Sequence, residues 1–195
     1  TIRQDFPIFE SQPELVYFDS AATALKPRVM VEAMNRYYFE YSANVARGLY
    51  PLAEGATTAL EEARKTVARF VRAENKESII FTANATHAIN IVALGLEQHI
   101  TEKCNIIVTD LEHHSNFLPW KDLARRSKAA LRSAQFTKGG HIESDHLTSL
   151  IDEQTAIIAF SAVSNVFGVV NPVRALIASI RQKNPQTLIL IDACQ

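Results

Sequence analysis

The sequence predicts an α/β fold, a mainly parallel sheet with helices on both faces. Three observations carry the prediction. From residue 78 onward short β-rich runs alternate with helical ones. The strand-like runs are continuously apolar, as expected of parallel strands covered on both faces, where a half-exposed strand would alternate apolar with polar residues. No internal repeat, low-complexity tract or Gly/Ser linker interrupts the series. With 195 residues and 47% hydrophobic content, the chain has material for one sizeable domain and its core.

An extended leading segment comes first. Pro27 and Pro51 then mark helix starts, because proline supplies a helical φ where no N–H is needed, and helices are expected over 28–41 and 52–72. In the second, Leu52, Ala56, Ala59, Leu60, Ala63, Val67 and Phe70 recur near helical spacing, and Glu61 lies four residues before Lys65, placed for an ion pair. The alternating series follows: strand Ile79–Phe81, helix 85–97, strand Ile106–Thr109, helix 117–129, strand Leu131–Phe136 and helix 144–152. It continues with strand Ala156–Ser161, helix 172–183 and strand Thr187–Ile191. We read residues 1–195 as one domain, with 1–50 the leading segment and first helix and 51–195 the alternating core. Both ends read as cut, since there is no initiating Met and TLILIDACQ stops directly after a strand.

Composition narrows the partners. Lys and Arg number 20 against 21 Asp and Glu, and no basic run is present, so neither nucleic acid nor an anionic membrane surface is expected. The longest apolar stretch, Ala156 to Val170, is broken by Ser161, Ser164 and Asn165 and falls short of the about 18 residues of a membrane span. Asp5, Glu10 and Ser11 stand where a signal peptide needs an apolar run, so a cytoplasmic protein with a small-molecule partner is expected. Cys104 and Cys194 lie far apart without CxxC spacing, which suggests neither a disulfide framework nor a zinc site.

Ligands of parallel sheets bind beyond the carboxyl ends of the strands, and polar residues gather there. TANATHAIN (82–90) follows Phe81, with Thr82, Asn84 and Thr86 at a helix start whose free N–H groups suit a phosphate or simply cap the helix. DLEHHSNFLPW (110–120) places two adjacent histidines between strand and helix. An imidazole there can stack on a planar ligand, exchange protons, or serve as a cap, whereas the spacing is poor for a metal and none is expected. AVSNVFGVVNPV (162–173) brings Asn165 and Gly168 to the same rim, as ligand contact or as turn. Asp192 directly follows four apolar residues. A carboxylate there needs a cationic partner such as a protonated pyridine nitrogen if it is buried, or else caps the next turn.

In order, YFDSAATALKP (17–27), TANATHAIN, EHHSNFLPW (112–120), SNVFG (164–168) and DACQ (192–195) resemble the cysteine desulfurases of the class V aminotransferase family. The likeness covers nearly the whole chain and is nearest to the branch serving iron–sulfur cluster assembly. It implies the large domain of the aspartate-aminotransferase type, fold type I, in incomplete form, and pyridoxal 5'-phosphate (PLP) as cofactor. Carried over, His113 stacks on the pyridine face and Asp192 pairs with the ring nitrogen, the two catalytic positions. Gln195 bonds the ring hydroxyl oxygen, and Ala85 and Thr86 with their helix start hold the phosphate. Asn165 lies near the ring oxygen and the substrate carboxylate, while Ala21 and Ala22 line the substrate side. The implied enzyme converts L-cysteine to L-alanine, leaving an enzyme-bound persulfide for a sulfur-acceptor protein, and acts as a homodimer when full-length.

This chain departs from the family pattern in four ways. Asn84, Ala85 and Thr86 stand where the family commonly has a Gly and two Thr, and Ala46 to Tyr50 replace a His-Arg-Gly-x-His loop, losing both histidines. The Schiff-base lysine of a Ser-Gly-His-Lys motif and the persulfide cysteine, which the family carries downstream together with a C-terminal small domain, are absent. Cys104 and Cys194 read as small, poorly exposed residues. Strands supplied downstream separate the Ile79 and Leu188 strands in the family's sheet, so unpaired edges are expected. The alternatives are selenocysteine lyase or another class V enzyme, and a split or degenerate paralogue acting as a scaffold. An NAD-type module is disfavoured, since no GxGxxG follows a strand.

Overall fold

The computed structural model describes residues 2–195. Contacts gather them into two compact units, one running to Phe81 and the other Thr82–Gln195. Residues 51–81, which the sequence grouped with the alternating core, fall in the first unit.

The first unit is helical. It holds α1 (Ile8–Ser11), α2 (Arg28–Glu40) and α3 (Pro51–Val71). Pro27 sits extended at the N-cap of α2, and Pro51 opens α3. The helix α3 ends where Arg72 turns left-handed, its N–H returning to the carbonyls of Ala68 and Arg69. Glu61 does not pair with Lys65 as its spacing suggested. The short turn Lys76–Ser78 brings Lys76 back onto α3, where Glu61 takes Lys76 and Arg64, and Lys65 pairs instead with Glu62 at 2.6 Å. The expected strand Ile79–Phe81 is extended but belongs to no sheet among the described residues. Its Ile79 carbonyl accepts from the Arg64 guanidinium, and Ile80 is left 74% exposed, so the run has strand character without a ladder partner.

The second unit comprises α4 (Ala85–Gly95), β1 (Asn105–Thr109), α5 (Leu118–Ser127), β2 (Ala130–Ala134), α6 (Ser144–Ser149), β3 (Thr155–Ser161), α7 (Val173–Lys183) and β4 (Leu188–Asp192). The four strands form a parallel sheet in the order β2-β1-β3-β4. Right-handed crossovers explain where the helices lie. From β1 the chain moves outward to β2 through α5, then returns past β1 to β3 through α6 and on to β4 through α7. Reversing direction reverses the face. Accordingly Ile106, Val108, Ile157 and Ala159 pack with Ile89, Trp120 and Leu123 of α4 and α5, whereas Ile107, Ile158 and Phe160 pack with Leu147, Leu176 and Ile180 of α6 and α7. All five residues of β1 are buried, the apolar Ile106, Ile107 and Val108 and the polar Asn105 and Thr109 alike, while β2 and β4 at the edges are only partly covered. Ser161 pairs in register with Asp192, so the carboxyl ends of β3 and β4 lie side by side.

Candidate functional site

His113 stands in the turn leaving β1. The residue is extended (φ −58°, ψ 146°) and caps the single 3-10 turn His114–Asn116, its Nδ1 accepting from the Ser115 N–H at 3.2 Å with Ser115 Oγ 2.7 Å away. Its ring is exposed, and the His114 ring lies 6.2 Å off, tilted by 49°.

Glu112, whose own role the sequence did not disclose, holds this turn to the sheet. Its carboxylate accepts from Thr109 Oγ1 at the end of β1, from Ser161 N–H (3.0 Å) and Ser161 Oγ (2.6 Å) at the end of β3, and from Asn116 Nδ2 (2.6 Å). Asn116 is fully buried and in turn accepts from the Trp120 indole N–H at 3.0 Å. The sequence signal was only the adjacency of Glu112 to the histidine pair.

The start of α4 supplies the anion side. Asn84, extended at the N-cap, accepts the His87 N–H through its side chain at 2.8 Å, and Thr82 Oγ1 donates to the Asn84 carbonyl at 3.0 Å. Asn84 thereby consumes one of the free donors of the first turn. The N–H groups of Ala85 and Thr86 and the Thr86 hydroxyl have no protein acceptor among the described residues, a set suited to phosphate oxygens at the positive end of a helix. Where a threonine would add a second hydroxyl, Ala85 adds none.

Asn165 lies exposed in the turn after β3. The turn is built by Ser164, whose Oγ accepts from the N–H groups of Val166 and Phe167, and by Gly168 at φ 66°, where a side chain would be strained. Asp192 is half-buried at the tip of β4. Its Oδ1 accepts from the Cys194 N–H at 3.0 Å, capping its own turn, and no cation lies within ion-pair distance among the described residues. The turn-capping reading of Asp192 is met by Oδ1. Cys194 is exposed, a correction to the expected poor exposure, since it lies in the irregular segment past the tip of the edge strand β4. The residue is exposed as a whole, yet partial burial of its sulfur, followed by the adjoining Asp192 carboxylate, pushes the thiol up to about 11. Gln195 is exposed beside it, and Ala21 and Ala22 belong to the first unit, in an exposed turn where Ala22 and Thr23 donate to the Asp19 carbonyl.

Two clefts divide the predicted residues of the second unit. Thr86 and His113 share one of about 450 Å³, with Asn90, Ser115, Asp122 and Arg126. Ala85 and Asp192 share another of about 290 Å³, lined by Ala88, Ile89, Val92 and Leu190. The α4 start forms a wall of both, and the ends of β1 and β4 stand two strands apart, roughly 9–10 Å. Asn165 and Gln195 line neither. Donors for an anion, an imidazole and a carboxylate without a cationic partner are the groups that a phosphate-bearing ligand with a basic ring nitrogen would need, and neither of these clefts holds all three. No lysine lines either cleft.

Residues 16–195 match the family described as Aminotransferase class-V. A probable cysteine desulfurase of Streptomyces coelicolor is 41% identical over 203 residues, covering 100% of this chain and 48% of that protein. The apo cysteine desulfurase of Thermococcus onnurineus superposes with a TM-score of 0.90 at 36% identity, covering 98% of this chain and 46% of that one. The cysteine desulfurase CsdA of Escherichia coli gives 0.84 at 31% identity, covering 97% and 47%. The chain spans about half the length of the relatives it matches.

Proposed function

This chain belongs to the class V aminotransferase family, and from that premise we propose that it forms about half of a PLP-dependent cysteine desulfurase. The observation that carries the reading is the shared wall at α4, which sets Thr86 against His113 in one cleft and Ala85 against Asp192 in the next.

Each residue then has a task. The Ala85 and Thr86 N–H groups and the Thr86 hydroxyl hold the phosphate. His113 lies against one face of the ring and excludes water from it. The Asp192 oxygen not engaged by Cys194 accepts from the ring N–H, and its negative charge favours the protonated nitrogen. Asn165 and Gln195 supply polar contacts to the ring oxygen, and Asn165 also to the substrate carboxylate. When bound, PLP supplies an electron sink for the bonds at the substrate α-carbon.

The reaction proposed is L-cysteine to L-alanine, with sulfur passed to an enzyme cysteine as persulfide and then to an acceptor protein of iron–sulfur cluster assembly. Neither cleft presents a lysine, and neither Cys104 before β1 nor Cys194 beside Asp192 occupies the place the resemblance gives the persulfide cysteine, so the Schiff-base lysine and the persulfide cysteine are assigned to sequence outside this chain. The same reading carries a cytoplasmic homodimer for the full-length protein, and selenocysteine as the rival substrate.

Calorimetric titration of the purified chain with pyridoxamine 5'-phosphate and with pyridoxamine tests the reading. The phosphate form should bind at least roughly tenfold tighter, the weight of one or two charge-assisted hydrogen bonds, and T86A should remove much of that preference. Equal binding of the two compounds would sink the assignment. The loop Ala46–Tyr50, lacking both family histidines, favours a second reading, a non-catalytic scaffold paralogue. A full-length gene with no lysine after Ser-Gly-His would put that reading in place of the first.

A further inference from the structure

We infer that Ser115 and Glu112 are positioning residues that fix His113 as its Nε2–H tautomer and so assign any proton it exchanges to Nε2. The inference deepens the proposed function, resting on the reading that His113 faces the cofactor ring.

A backbone N–H can donate only to an unprotonated ring nitrogen. The Ser115 N–H points at His113 Nδ1 at 3.2 Å, and Ser115 Oγ lies 2.7 Å from the same atom. In the neutral imidazole the proton must then sit on Nε2, which has no protein partner among the described residues. Turning the ring over would abandon both contacts.

The backbone that carries the ring is fixed separately. The Asn116 N–H donates to the His113 carbonyl at 2.8 Å, and the Asn116 side chain is held between the Trp120 indole and the Glu112 carboxylate. Glu112 also receives Thr109 of β1 and Ser161 of β3, so the pivot of His113 is tied to two adjacent strands. A glutamine at position 112 could still accept from the Ser161 N–H. Its amide nitrogen would confront Asn116 Nδ2 as one donor against another. The tie to Asn116 therefore needs a carboxylate.

Nitrogen-15 histidine spectra of the full chain, recorded without cofactor at mildly alkaline pH where imidazole is neutral, report the tautomer directly. The wild-type chain is expected to show Nε2–H as the dominant form. S115A should raise the minor tautomer roughly fivefold, the weight of one ordinary hydrogen bond, and S115T should restore the wild-type ratio. E112Q should broaden or split the His113 signals, and S161A, which removes one donor and keeps the charge, is the milder arm should E112Q fail to fold. A dominant Nδ1–H form in the wild type overturns the inference, as does a ratio unmoved by S115A. Signals unmoved by E112Q, or by S161A in its place, overturn the Glu112 part. These readouts contain no cofactor, so they stand or fall apart from the pyridoxamine titration.

Discussion

Cys194 follows Asp192 by two residues, and the carboxylate acts on the proton of the thiol. Burial first, then the hydrogen bond and charge of Asp192, push the thiol from an ordinary 9.0 to about 11. A thiol raised in the folded state binds its proton more tightly there. Its contribution to stability is therefore complete below about 9 and is lost as the pH climbs toward 11. Alkylation of Cys194 by iodoacetamide at pH 8 should be several-fold slower than that of an unstructured cysteine, and D192N should speed it. Equal rates in wild type and D192N would show that the carboxylate does not face the sulfur. At this scale local order marks Thr86, His113 and Asp192 as candidates but leaves each open between a ligand contact and a cap or turn, and the resemblance supplies their roles. Glu112 could not, because its bonds to Ser161 cross 49 positions and only the fold brings the two together.

Among the elements, β3 is one of the two inner strands, and its residues serve both faces of the sheet in turn. Phe160 is fully buried in the cluster with Leu176 and Ile180, and F160A should cost about 3–5 kcal/mol in urea unfolding monitored by circular dichroism. A loss under about 1 kcal/mol would mean that the α7 face is loosely packed. Continuous apolar runs made β1, β3 and β4 readable, and proline starts made α2 and α3 readable. Ends were harder to place. The helix α6 stops at Ser149, short of the expected 152, as Asp152 turns away to accept from Asn105, Arg132 and the Gln154 N–H. Strand β2 stops at Ala134 because Phe136 pairs antiparallel with Ile142 in an isolated bridge. In each case a distant partner captured the backbone or side chain, and residue propensity does not encode that capture.

For the second unit as a whole, Asp152 links three strands at the end opposite the site. Its carboxylate takes Asn105 of β1 at 2.8 Å and Arg132 of β2 at 2.7 Å, while its N–H donates to Thr155 of β3 at 3.0 Å. Burial pushes the carboxyl up, but the Arg132 and Asn105 bonds outweigh it and hold the group below its ordinary 3.8. Such a group stabilises the fold above 3.8 and ceases to do so as the pH falls through the lower folded value. D152N should therefore lower the melting temperature at pH 7 by a few degrees and flatten its fall between pH 5 and about 3. An unchanged acid profile would remove Asp152 from the account. The order β2-β1-β3-β4 has one more consequence, at the site end. Chain leaving β1 and chain leaving β3 diverge toward opposite faces, and parallel sheets keep their ligand crevice where that divergence occurs. Here the crevice mouth is already stoppered by the protein's own Glu112 oxygens. An incoming anion would meet a like charge at that gap, whereas the Ala85 and Thr86 N–H groups opening α4 have no protein acceptor among the described residues.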